Sequence, residues 1–85
     1  MYRIEYLRPA RKALMRMPAS LAVRFLEAFE TLAADPRRTD LDIKRLSGRD
    51  GYRLRIGGWR ALYRLQADRL VVLVLDIGTR GDVYK

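Results

Sequence analysis

The chain has 85 residues, 49% of them hydrophobic, with fifteen arginines and three lysines against ten acids for a net charge of +8. That length makes one domain, residues 1–85, with a single core. The absence of His and Cys excludes thiol nucleophiles, Ser-His-Asp triads, imidazole or thiolate metal sites and His-based RNA cleavage. The ten acids are scattered, so no carboxylate cluster for a hard cation is expected either. A small, basic, His-free domain points to a polyanionic partner.

In chain order, Tyr2, Ile4 and Tyr6 alternate with Arg3 and Glu5, the pattern of a short strand with one buried face. Charges there, and an apolar run no longer than Leu70 to Leu75, leave neither a signal peptide nor a membrane span. A cytoplasmic protein is expected. Pro9 suits the first turn of a helix whose apolar positions are Ala10, Leu14 and Met17. Pro18 ends that helix and can start the next, with a stripe of Leu21, Phe25, Phe29 and Leu32 supplemented by Ala22, Leu26 and Ala33. Asp35-Pro36 stops it, because a residue preceding proline avoids the helical region.

Residues 35–50 read as a polar connector pinned by Leu41, Ile43 and Leu46. Two strands follow, Tyr52 to Ile56 and Trp59 to Gln66, joined by Gly57-Gly58, a two-residue hairpin signal. A turn at 67–69 leads to a strand from Leu70 to Ile77, apolar on both faces and therefore interior. The order β-α-α-β-β-β predicts an α+β sandwich, a two-helix hairpin on one face of a small, mainly antiparallel sheet.

A two-residue turn places Ile56 opposite Trp59, Arg55 opposite Arg60, Leu54 opposite Ala61, Arg53 opposite Leu62 and Tyr52 opposite Tyr63. Side chains alternate between faces. Tyr52, Leu54, Ile56, Trp59, Ala61, Tyr63 and Leu65 should therefore meet the helices, and Arg53, Arg55, Arg60 and Arg64 the other side. Like charges directly across a strand pair destabilise it, so Arg55 facing Arg60 reads as a surface that holds phosphates; the alternative is a solvated sheet face of an Arg-rich protein. Residues 44–85 carry +6 of the +8, so the excess lies with the sheet. Arg80 and Tyr84 follow the last strand, where an Arg could reach a phosphate and a Tyr could stack on a base or move a proton. Trp59 is assigned to the core, and Asp76 to an Arg pair or a loop cap.

The run from Lys44 through Leu46 and Gly48 into YRLRIGGWRALYRL and LVVLVLDIGTRGDVY resembles the RelE toxins of the RelE/ParE superfamily of bacterial toxin–antitoxin systems. LRPARKALMRMPASLAVRFLEAFETLAADP is similar to that family's helical hairpin. The resemblance implies a type II toxin, a ribosome-dependent mRNA endonuclease (mRNA interferase) that cuts message in the A site by 2′-OH attack on the adjacent phosphate. It needs neither metal nor cofactor. Implied catalytic residues are Arg60, Arg80 and Tyr84; Arg53, Arg55, Arg64 and Lys44 would hold phosphates. Well-known RelE toxins carry lysines where this chain has Arg53 and Arg55. Arg cannot serve as a general base, so either Tyr84 takes that role or the ribosome and electrostatic preorganisation carry most of the rate. The chain stops one residue past Tyr84, and the extra C-terminal helix of some relatives is not expected. Implied partners are an acidic antitoxin, the ribosome and mRNA, with operator DNA reached only through the antitoxin complex. The alternatives are a ParE-like gyrase-inhibiting toxin and a non-catalytic basic module that binds nucleic acid through phosphates alone.

Overall fold

The computed structural model describes residues 1–37 and 40–79. Among them are two helices and five strands, in the order β1 (Arg3–Tyr6), α1 (Arg8–Arg16), α2 (Ala19–Ala34), β2 (Ile43–Arg45), β3 (Tyr52–Ile56), β4 (Trp59–Gln66) and β5 (Val71–Thr79). Pro9 occupies the first turn of α1, and Arg16 in its last turn faces the negative end of the helix dipole. Pro18 both ends α1 and caps α2, its carbonyl accepting the N–H groups of Leu21 and Ala22. Phe25, Ala28, Phe29, Leu32 and Ala33 form the buried stripe of α2. Leu26, expected in that stripe, points to solvent, as does Val23. Neither helix is long and apolar enough to cross a membrane.

The strands form one sheet in the order β1-β5-β4-β3-β2; β1 runs parallel to β5 and the other pairs are antiparallel. The α+β class and the helical hairpin on one face agree with expectation. So does β5 as an interior strand, with Val71, Val72, Val74 and Ile77 all buried. β2 is an addition. It lies inside the expected connector, where three residues are too few to show a period, and it is held by β3 through Ile43↔Leu54, Lys44↔Arg53 and Arg45↔Tyr52.

The β3–β4 register is the expected one at all five pairs, from Tyr52↔Tyr63 to Ile56↔Trp59. Gly57 supplies the turn with φ +60°, which a side chain would disfavour. Leu54, Ile56, Ala61 and Tyr63 are accordingly buried under the helices, with Tyr52, Trp59 and Leu65 packed around them. Aromatic rings bind the layers. Phe29 of α2 meets Tyr6 and Tyr63 edge-on at 6.0 and 5.6 Å, and Tyr63 stacks on Tyr52 at 5.4 Å. Each such pair adds roughly 0.5–1.5 kcal/mol to simple burial.

Two irregularities shape β5. Its register against β4 shifts between Leu62 and Tyr63, whose partners are Asp76 and Val74. The extra residue, Leu75, lets Val74 and Ile77 both reach the helix-side core although they are three apart. Asp76, expected in an Arg pair or a loop cap, turns its carboxylate onto the strand itself, accepting the Ile77 N–H at 2.8 Å beside this bulge. At the other end the strand begins at Val71, one residue later than expected. Leu70 belongs to the turn, half exposed with φ +54°. Its carbonyl accepts the Arg3 N–H at 2.7 Å, so pairing with β1 holds the strained conformation in place.

A left-handed conformation costs a bulky L residue about 1–2 kcal/mol. Leu70→Gly should therefore raise stability in urea unfolding by about 0.5–1 kcal/mol, the lost side chain being half exposed. Alkaline pH should act the other way. Burial, then the charge of Glu30, pushes the Tyr6 phenol up from 10.0 to about 12. Burial, then Tyr52, raises Tyr63 as well. The folded state thus holds these protons more tightly than the unfolded chain. Their contribution is complete below about pH 10 and should be lost as pH rises through about 12, a decline that Tyr6→Phe should flatten in urea titrations.

Candidate nucleic-acid interface

The sheet face turned away from the helices carries the charge. Opposed residues of neighbouring strands share a face, so the pairings place side chains in rows. One row runs Lys44, Arg53, Leu62 across β2, β3 and β4. The next runs Asp42, Arg55, Arg60 and ends against Gly78 of β5. Asp42 joins it because the Arg55 N–H donates to the Asp42 carbonyl at 2.9 Å, extending the β2–β3 ladder by one residue. Arg64, opposite Leu73, stands on the same face. Lys44, Arg53, Arg55, Arg60 and Arg64 are thus brought to one face. Arg80 and Tyr84 lie outside the described residues.

Asp42 escapes sequence periodicity because its partners are eleven and thirteen positions away, in a strand pair whose first member looks like connector. One of its carboxylate oxygens accepts Arg53 Nη2 at 3.0 Å and the other accepts Arg55 Nε at 2.8 Å. A single carboxylate thereby ties two guanidinium groups side by side. Each Arg has five N–H donors, and this clamp engages one nitrogen of each. The signal becomes visible once β2 is drawn: continuing its register past Ile43 sets Asp42 against Arg55.

The arginines also do packing work. Leu62 is 2% and Val71 0% exposed, although both belong to the face without helices. The Nε atoms of Arg53 and Arg64 and Gln66 Oε1 are enclosed with no hydrogen-bond partner, and the Arg53 side chain is only 15% exposed. On a face without helices, the aliphatic stems of arginines are the groups able to cover these apolar positions. Trp59 packs half-buried against the core on the other face, as expected. Chemically, the face can bind and stabilise negative charge. Guanidinium groups cannot serve as general bases, and the remaining cation of the face, Lys44, is exposed.

The chain matches the family model described as the ParE toxin of the type II toxin–antitoxin system parDE over residues 4–84. It is 35% identical to the candidate toxin RelE1 of Methanocaldococcus jannaschii over 99% of this chain and 96% of that protein. Among solved structures it is similar to the archaeal RelE–RelB complex of Pyrococcus horikoshii, at 32% identity and a TM-score of 0.81, covering 94% of this chain and 96% of that one. The toxin–antitoxin complex RelBE2 of Mycobacterium tuberculosis gives 27% identity and a TM-score of 0.76, with 93% and 98% coverage.

If Asp42 offsets the repulsion within the Arg row, Asp42→Asn should lower stability by a few tenths to about 1 kcal/mol at low ionic strength. The deficit should shrink in high salt. Paired urea titrations of the two proteins at low and high NaCl measure both.

Proposed function

Because this chain belongs to the RelE family of type II toxin–antitoxin toxins, we propose that it is a metal-independent, ribosome-dependent endoribonuclease that cuts message in the A site. The observation that carries this reading is the Arg55–Arg60 pair. Two arginines stand directly opposite each other across β3 and β4, on a face that also gathers Lys44, Arg53 and Arg64. The ribose 2′-OH attacks its neighbouring phosphate; the P–O5′ bond breaks, leaving a 2′,3′-cyclic phosphate (or its opened product) and a free 5′-OH. Arg60 stabilises the charge of the pentacoordinate transition state, and Arg80 the leaving oxygen. Arg53, Arg55, Arg64 and Lys44 hold the backbone, with Asp42 fixing the relative placement of Arg53 and Arg55. Tyr84 stacks on or orients the attacked nucleotide. An acidic antitoxin, the proposed cognate partner, covers the basic face in the inactive complex and supplies operator recognition. A protein that works on translating ribosomes acts in the cytoplasm.

The family model's own description favours a second reading, a ParE-type toxin that would act on gyrase through protein contacts and would not use the arginine face for cleavage. The two separate in one experiment. Expression of the chain alone should arrest growth, with message cut in translating ribosomes and naked RNA largely spared. Arg60→Met, which keeps the stem and removes the charge, should lower cleavage by about 100-fold or more without unfolding the domain. Arg80→Ala should also relieve toxicity. Tyr84→Phe separates stacking from proton transfer: retained cleavage assigns the ring, and loss comparable with Arg60→Met assigns the phenol. Gyrase-linked DNA breaks, with full toxicity of the Arg60 and Arg80 variants, would establish the ParE reading instead.

A further inference from the structure

A cavity of about 360 Å³ opens where β2 turns into β3, lined by Lys44, Arg45, Leu46, Ser47, Arg49 and Arg53. Four of these six are cations and none is an acid. Three other surface cavities each include a carboxylate: Asp35 in one, Glu27, Asp40 and Asp42 in a second, Asp76 in a third. Among the described residues no ion pair involves Lys44, Arg45 or Arg49. Asp50, next to Arg49 in the chain, is not part of the wall. Among the described residues, only Arg53 of the four cations has a carboxylate partner, Asp42; the uncompensated charge of the other three works against folding, and ordinary surfaces intersperse the two signs.

The wall is also held in place. The Leu46 N–H donates to the Gly51 carbonyl at 3.0 Å, closing the loop. Gly51 has φ +124°, and a side chain there would meet the Tyr63 carbonyl oxygen at 2.9 Å. The loop therefore sits directly on β4, at a point only glycine can occupy. Arg53 joins the cavity to the arginine rows, and Lys44 stands opposite it. Same-face residues advance by about 6.6 Å along a strand, comparable with one nucleotide of an extended single strand.

We propose that this cavity is a second anion subsite, which holds a phosphate of single-stranded RNA neighbouring the one on the Arg55–Arg60 row. The RNA assignment rests on the nuclease reading above. Guanidinium forks match phosphate oxygens, Ser47 offers a hydroxyl donor, and Leu46 alone offers the apolar contact on which a peptide would depend.

The test compares two variants of equal net charge by fluorescence anisotropy with a short single-stranded oligoribonucleotide over a salt series. One is the double variant Arg45→Gln, Arg49→Gln; the other is Arg8→Gln, Arg11→Gln on α1. Loss of one phosphate contact should reduce the slope of log K against log salt by about 0.7, with about fivefold weaker binding at moderate salt. The α1 variant should keep nearly the native slope. Equal losses in the two variants would overturn the subsite, as would a polyglutamate peptide that depends on Arg45 and Arg49 as strongly as RNA does. Ribosome-dependent cleavage by the native chain is measured alongside. A slope change specific to the loop variant without any cleavage supports the subsite and refutes the nuclease; cleavage without that slope change does the reverse.

Discussion

Gly57 and Gly58 close β3 onto β4 with two residues, and this fixes the register on which the two-sided character of the sheet depends. Side chains alternate with period two. A slip of one position would bring Arg53 and Arg55 under the helices and turn Leu54 and Ile56 out to solvent. The apolar set of β3 and β4 has a helix-side core to fill, with Phe25, Phe29 and Leu32 above it. Burial on one side thus holds the arginines on the other, including the pair that faces across the strands. The electrostatic cost of Arg55 facing Arg60 is a fraction of the hydrophobic gain that enforces it.

Asp42 shows how the sheet edge manages that cost. It stands at the start of an edge strand, where it reaches two guanidinium groups from one side through one nitrogen of each. The loop that follows β2 has no such carboxylate in its wall. Charge on this face is therefore graded, partly compensated at Asp42 and uncompensated around Arg45 and Arg49. A negatively charged strand lying along it would meet its least screened attraction at the loop.

What can be read in the sequence follows the range of the rules involved. Pro9, Pro18 and Asp35-Pro36 delimit both helices through local sterics, and Gly57-Gly58 gives the hairpin at residue level. Long-range features are hidden. β2 has three residues and exists because β3 offers it a ladder. The Leu75 bulge lets Ile77 reach the core, a demand of tertiary packing. Leu70 opens the apolar run that continues into β5, yet the turn and the carbonyl bond to Arg3 hold it left-handed. Arg53, Arg55, Arg60 and Arg64 are legible from alternation alone, whereas Lys44 enters through the resemblance. Asp42 is not legible, since it needs a strand that the pattern does not announce. The roles of Arg80 and Tyr84 come from resemblance rather than from geometry.

Leu62 and Val71 are buried on the same face as Arg53 and Arg64, so the charged surface is also a thin second core. Truncating Arg53 or Arg64 to alanine would uncover apolar atoms as well as delete a cation, so function and foldedness would fall together. A genetic selection for harmless variants would then be enriched in destabilised proteins cleared by proteases, and a map of its survivors would overstate how many side chains touch the ligand. Methionine or glutamine in place of arginine, which retains most of the stem, separates the two effects. The same overlap restrains drift, because a neutral change of charge on this face is seldom neutral for packing.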